Sequence, residues 1–171
     1  MNNTFLLYAK YIQDKDTKIA ALLDTLSNEE REKDRGSYYK SLSGLYQHLG
    51  GAMTFFLDYL KKALPEGSAA KALPAPAATY PEGSLTEADW QKVKTLVAGA
   101  NQAYVDFVTA LTDAELDVSM KWFTGETVPL SFMLNSLIPH QVHHQGAIAQ
   151  ILDELKVNND FSGIAVQFLV K

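Results

Sequence analysis

The chain contains no cysteine. That absence excludes disulfides, thiolate zinc sites, iron–sulfur clusters and cysteine nucleophiles together, and it means that any metal must be held by nitrogen and oxygen. Long apolar runs are missing too. No uninterrupted stretch approaches the ~20 residues that span a bilayer, and Met1-Asn2-Asn3-Thr4 has neither the basic start nor the apolar stretch of a signal peptide. A cytoplasmic protein without a membrane partner is the expectation. Basic residues are in the minority, 15 Lys and Arg against 20 Asp and Glu for a formal net charge of −5. No basic stripe appears, which argues against nucleic acid as a partner. What is there is 47% hydrophobic and 20% charged over 171 residues, the balance of one globular domain (1–171) able to bury a sizeable core.

Apolar residues recur at helical spacing in four long segments. Phe5, Tyr8, Ile12, Ile19, Leu22, Leu23 and Leu26 mark an amphipathic helix over about residues 3–26. Ser27 with Glu30 reads as a capping box, and Arg35-Gly36-Ser37 as punctuation. A second helix is expected over 38–64, with Leu45, His48, Leu49, Ala52, Phe55, Phe56 and Tyr59 on one broad face. Gly50-Gly51 in its interior costs about 1 kcal/mol per residue relative to alanine; close helix approach or room beside a bound group explains such a pair. Residues 65–84 hold four of the six prolines, with alanines between them and Pro-Glu-Gly-Ser at both ends. They read as a long extended loop, either bordering a site or serving as a plain crossover. Ser84 with Glu87 is a second capping-box pattern, opening a third helix through Trp90, Val97, Tyr104 and Leu111. Weak alternation around Thr124-Gly125-Glu126 predicts a hairpin with strands at 117–123 and 126–128. A fourth helical pattern runs over 130–157, followed by a short apolar tail. The expected fold is all-α: a four-helix bundle with a long crossover loop between the second and third helices and a small β-hairpin before the last.

Three of the four histidines fall in the run His140-Gln141-Val142-His143-His144. On a helical wheel His144 lies about 40° from His140, and both share the stripe of Leu137, Ile148 and Ile151, whereas His143 falls about 60° to the other side. A lone histidine on an apolar face is usually a core residue with one hydrogen bond. Two at i and i+4, with His48 on a second apolar face, are different: three buried imidazoles without a shared partner need separate donors and acceptors, each omission costing ~1–3 kcal/mol. One divalent ion satisfies all three. The spacing also resembles the zincin motif His-Glu-x-x-His, but Gln141 stands where the general base belongs, which disfavours proteolysis. No histidine has a glutamate three residues before it, so a ferritin-like di-iron site is excluded. Pro139 either kinks the last helix at the site or marks its restart there.

Three stretches carry a family likeness: LSNEEREKDRGSYYKSLSGLYQH (26–48), Trp122-Phe123-Thr124-Gly125, and His140-Gln141-Val142-His143-His144-Gln145-Gly146. In order and spacing the chain resembles the DinB family, also described as DinB/YfiT-like metalloenzymes, whose final helix carries His-x-x-His-His-Arg-Gly-Gln. The resemblance implies a four-helix bundle with a divalent metal, zinc or nickel, held by His48, His140 and His144. His143 matches a histidine not usually counted as a ligand. It further implies homodimers and a small-molecule substrate, with S-transfer from low-molecular-weight thiols, metal-dependent hydrolysis and isomerisation among the activities assigned to members. Gln145 and Ala147 replace the family's Arg and final Gln, and Met53 stands where an aspartate is often found.

The leading expectation is a metal-dependent enzyme, thiol transferase ahead of hydrolase, with catalytic residues unassigned. Tyr38, Tyr39, Tyr46, Gln47 and Gln141 are candidates for orienting ligands or substrate. The rivals are a non-catalytic or stress-associated metal-binding bundle and a pure interaction module that dimerises through an exposed apolar helix face.

Overall fold

The computed structural model describes residues 2–164 and Phe168. The chain is mostly helical, with one small antiparallel sheet. Its elements are α1 (Asn2–Leu23), the single-turn α2 (Asn28–Glu32), α3 (Leu42–Ala63), the single-turn α4 (Ala69–Ala72), α5 (Glu87–Ala110), a 3-10 turn (Asp113–Asp117), β1 (Ser119–Lys121), β2 (Thr127–Pro129) and α6 (Leu130–Glu154). The long helices α1, α3, α5 and α6 pack against one another as in a bundle. No helix among the described residues is long and apolar enough to cross a membrane.

Boundaries move where local chemistry outweighs periodicity. The second helix starts at Leu42 rather than near residue 38, because residues 35–41 form a tight turn. Within it Lys40 N donates to Ser37 O (2.9 Å) and Arg35 N to Lys40 O (2.8 Å), with Gly36 and Lys40 in the left-handed region. Ser41 then caps the helix by accepting from Gly44 N. Ser27 does cap α2 by accepting from Glu30 N, but the Glu30 side chain pairs with Arg35, so the reciprocal half of the box is absent. α5 is capped two residues later than expected. Thr86 and Asp89 form the reciprocal box, while Ser84 donates to Glu32. The proline-rich loop is not wholly extended. Ser68 caps α4, whose Ala70 enters the core. The hairpin strands are three residues each, with Met120 opposite Val128. Before them the capping box of Thr112 and Glu115 stabilises the 3-10 turn. α6 runs unbroken through Pro139, which is exposed, so the helix does not restart there. Of the apolar tail, Phe161 and Phe168 are buried; residues 165–167 and 169–171 lie outside the described residues.

The core divides into two apolar clusters. One gathers Ile12, Met53, Tyr104, Met133 and Leu137 with the hairpin's Met120. The other gathers Ile19, Leu49, Trp90, Val97 and Ile148. At or beside their junction every long helix carries polar residues: Asp16, His48, Asn101, and His140, Gln141, His144 and Gln145 of α6. Gly50 makes close approach possible. A Cβ there would lie 2.5 Å from the Tyr80 hydroxyl and 2.7 Å from Val97, so this glycine serves helix packing and the docking of the proline-rich loop. Gly51 has nothing within 4 Å of such a Cβ.

Candidate metal centre

α3 and α6 bring the three expected histidines together. One ring nitrogen from each of His48, His140 and His144 lies within 4.8 Å of the others. The ring centroids are 4.5 Å apart for His48 and His144, 4.7 Å for His140 and His144, and 5.2 Å for His48 and His140. His48 Nε2 stands 3.3 Å from His140 Nε2. Two tetrahedral ligands with bonds of ~2.0 Å to one ion stand about 3.3 Å apart, so this pair is already at ligand spacing. No carboxylate belongs to the group. His144 is buried at 8% exposure, and the other two rings are half-buried.

Burial keeps all three imidazoles neutral, the form in which they bind metals. It pushes His48 down to about 4, with His140 adding repulsion. Burial likewise pushes His144 down to about 4, reinforced by His48, His140 and His143, and it lowers His140, with His143 contributing. The Nδ1 of His140 is buried without a protein partner. Three neutral rings with facing nitrogens and no acid to balance them fit a cation better than they fit each other.

The surroundings sort the remaining candidates. Tyr39 belongs to the site: its ring stacks on His48 at 4.0 Å and meets His144 edge-on at 5.3 Å. Its hydroxyl lies 2.9 Å from His48 Nε2. Gly44 permits this placement, since a Cβ there would come within 2.2 Å of the Tyr39 carbonyl oxygen. Gln141 is fully buried and donates to Leu49 O at 3.1 Å, clamping α6 to α3 beside His48. Tyr38 is 90% exposed and touches Tyr39, while Tyr46 is a core ring against Trp90. Gln47 donates to Pro81 O, tying the proline-rich loop to α3 next to His48. On the other side Phe56 packs on His140 at 5.9 Å. His143 is exposed and stands outside the group, although its ring lies 4.9 Å from that of His144. Met53 is a core residue.

The DinB family model matches residues 1–158. The chain belongs to the DinB family. We find no match among curated proteins or among solved structures.

A second buried polar group escaped the sequence reading. Asp16 of α1, 1% exposed, accepts from Asn101 of α5 at 2.8 Å and from Gln145 of α6 at 2.9 Å. Desolvation raises its carboxyl to about 6, against which the two amide donors pull downward. Gln145, where the family pattern has arginine, is therefore turned to Asp16. The signal was present: residue 16 lies four after Ile12 and three before Ile19, both fully buried, so a charged residue there belongs to the core face.

Proposed function

We propose that this DinB-family chain is a divalent-metal-dependent enzyme whose ion is held by His48, His140 and His144. The observation that carries this reading is the convergence of three neutral imidazoles, one ring nitrogen of each within 4.8 Å of the others, with no acidic partner in the group. When bound, a zinc or nickel ion with open positions lowers the pKa of a thiol or water and orients it as a nucleophile. His48, His140 and His144 would hold it from two helices that Gln141 locks together. Tyr39 presents a hydroxyl beside the ligand nitrogens, able to donate to a reacting group. Phe56 packs on the His140 ring.

The absence of a carboxylate favours S-transfer over hydrolysis. Hydrolysis leans on a general base and acid to move protons, and the gathered group supplies neither. A thiol held there would have given its proton to solvent on binding the ion, and the thiolate would need only to form its S–C bond as the bond from carbon to leaving group breaks, that group taking the electron pair and its proton from water. A low-molecular-weight thiol, an electrophilic small molecule and a homodimeric assembly on a four-helix scaffold complete the proposal.

Elemental analysis of purified protein with a thiol-plus-electrophile activity screen tests it. One divalent ion per chain and turnover, both lost in His144→Ala, are expected; absence of metal at neutral pH would refute the reading. A non-catalytic metal-binding role is the second reading, favoured by the same lack of an acid or base. Stoichiometric metal with no turnover across the screen would select it.

A further inference from the structure

Six aromatic rings form a continuous slope from solvent to the histidines. Phe55, Phe56 and Tyr59 come from α3, Trp122 and Phe123 from the hairpin turn, and Phe132 from α6. Phe123 is the hub, with ring centroids 5.0 Å from Trp122, 5.2 Å from Tyr59, 5.9 Å from Phe55 and 6.0 Å from Phe56. Trp122 continues to Phe132 at 5.1 Å, and Phe56 continues to His140 at 5.9 Å. The hub is fixed from below: Tyr59 donates its hydroxyl to Lys121 O at 2.7 Å, and Trp122 N donates to Glu126 O at 2.7 Å across the turn.

Phe56, Tyr59 and Trp122 are partly buried against the core, and the other three rings stand outside it. Phe55 is 55% exposed, Phe123 49% and Phe132 45%, whereas the core ring Phe107 is 1% exposed. A contiguous exposed apolar patch on a folded chain marks a place where something binds. Depth decides what binds: Phe55 and Phe123 are exposed, whereas Phe56 and the His140 it touches are half-buried. A surface that descends into a metal site suits a small molecule entering it better than a flat partner face. Among the described residues the cation–ring contacts are elsewhere, at Tyr11 and Trp90.

We infer that this aromatic slope is the recognition surface of the metal site and takes a flat apolar group, an aromatic ring above all, on a substrate whose reacting end reaches the three histidines. The inference rests on the proposed metal site and adds the substrate class. Phe56 contacts a ring close to the reacting end, and Phe123 one lying a further ring-width out.

Hydroxamates provide the test, because their two oxygens chelate a divalent ion while the attached group is free to vary. Calorimetric titration of zinc-loaded protein compares acetohydroxamate with 3-phenylpropanohydroxamate. The phenyl compound is expected to bind about tenfold tighter or more, the return on burying one ring. Phe123→Ala should bring the two within threefold and leave acetohydroxamate unchanged; Phe55→Ala, on a helix rather than a turn, should reduce the preference partway. Equal affinity of the two compounds for the unaltered protein overturns the inference and leaves the metal site standing. Failure of both to bind a zinc-loaded chain overturns the open-site reading and the inference with it. Sedimentation of Phe123→Ala adds a third arm: conversion of a dimer to a monomer would assign the slope to a second copy of the chain and overturn the inference.

Discussion

His144 and Gln145 are neighbours on α6, yet they belong to opposite kinds of polar group. His144 faces His48 and His140, a set of donor nitrogens with no acid among them. Gln145 faces Asp16, an acid whose two oxygens are each met by an amide, one from α5 and one from α6. The Asp16 carboxylate is met on both oxygens and ties three helices, leaving the amide oxygens of Asn101 and Gln145 as the unpartnered atoms of that group. The histidine group leaves its facing nitrogens without a protein partner of opposite charge and sits where solvent reaches two of its rings. Buried polar residues that satisfy one another hold a fold together, whereas those that jointly lack a partner mark where something else binds.

The strongest way to break this contrast is to remove one imidazole. His144→Ala should lower zinc affinity, measured by competition with a chromogenic chelator, by more than about 100-fold, exceeding the ~10–100-fold typical of losing a group that only orients a ligand. The same substitution should leave the metal-free chain folded, because the Asp16 group and both apolar clusters are untouched. A variant that retained full affinity would remove His144 from the centre.

Acid titration sharpens the contrast, because the two groups act with opposite sign over the same range. His48 and His144 titrate near 4 in the folded chain against about 6.5 unfolded. Below 6.5 the unfolded chain takes up protons that the folded chain refuses, and stability falls toward pH 4. Asp16 is the reverse. Its folded value of about 6 lies above its ordinary 3.8, so its contribution is full below 3.8 and lost as pH rises through 6. Asp16→Asn removes that loss. The new amide keeps an acceptor, and its N–H groups can donate to the now unpartnered Oδ1 of Asn101 or Oε1 of Gln145. Urea unfolding of the metal-free variant should show a gain of about 1–3 kcal/mol at pH 7.5 that vanishes near pH 4. A uniform loss at both pH values would mean that the carboxylate itself, charged, is needed.

How legible each group was follows from its chemistry. Histidines on apolar stripes are conspicuous, and the i, i+4 spacing of His140 and His144 with His48 on another stripe pointed to one site before any coordinates. The long helices were legible for the same reason, through the recurrence of Leu, Ile and Val. Asp16 was passed over because one carboxylate in a 22-residue helix looks like a solvated face until its register against Ile12 and Ile19 is counted. Tyr39 was one of five polar candidates with nothing to separate them, since its place depends on a turn closed by Gly36 and Lys40 and on the missing side chain of Gly44. The aromatic slope was invisible for a further reason: Phe55 and Phe123 are far apart in sequence, and only the docking of the hairpin on Tyr59 brings them into contact.

A smaller effect is expected at Tyr39. Its hydroxyl donates to His48 Nε2 when that nitrogen carries no proton, the same lone pair an ion requires. Tyr39→Phe keeps the stacked ring and removes the competitor. Zinc affinity should rise by up to about fivefold, the worth of one neutral hydrogen bond of ~1 kcal/mol, while the metal-free chain loses a similar amount of stability. A large drop in affinity would instead make the phenol oxygen part of the ion's own coordination.

The least change is expected when nothing is substituted and only pH varies. Protons compete with a metal for imidazole nitrogens, so three histidines titrating at the ordinary 6.5 would lose on the order of 1000-fold in affinity between pH 7.5 and 5.5. At this centre burial has already driven protons off: His48 and His144, near 4, are neutral at pH 5.5, and His140 is lowered in the same direction. Zinc affinity measured by chelator competition should therefore change far less over that interval than the loss expected of three ordinary imidazoles. A steep decline beginning at pH 6.5 would show that water reaches the rings far more freely than their packing against Tyr39 and Phe56 implies. The Asp16 group offers an internal control, because its titration leaves the histidine charges untouched and Asp16→Asn should reproduce the same shallow profile.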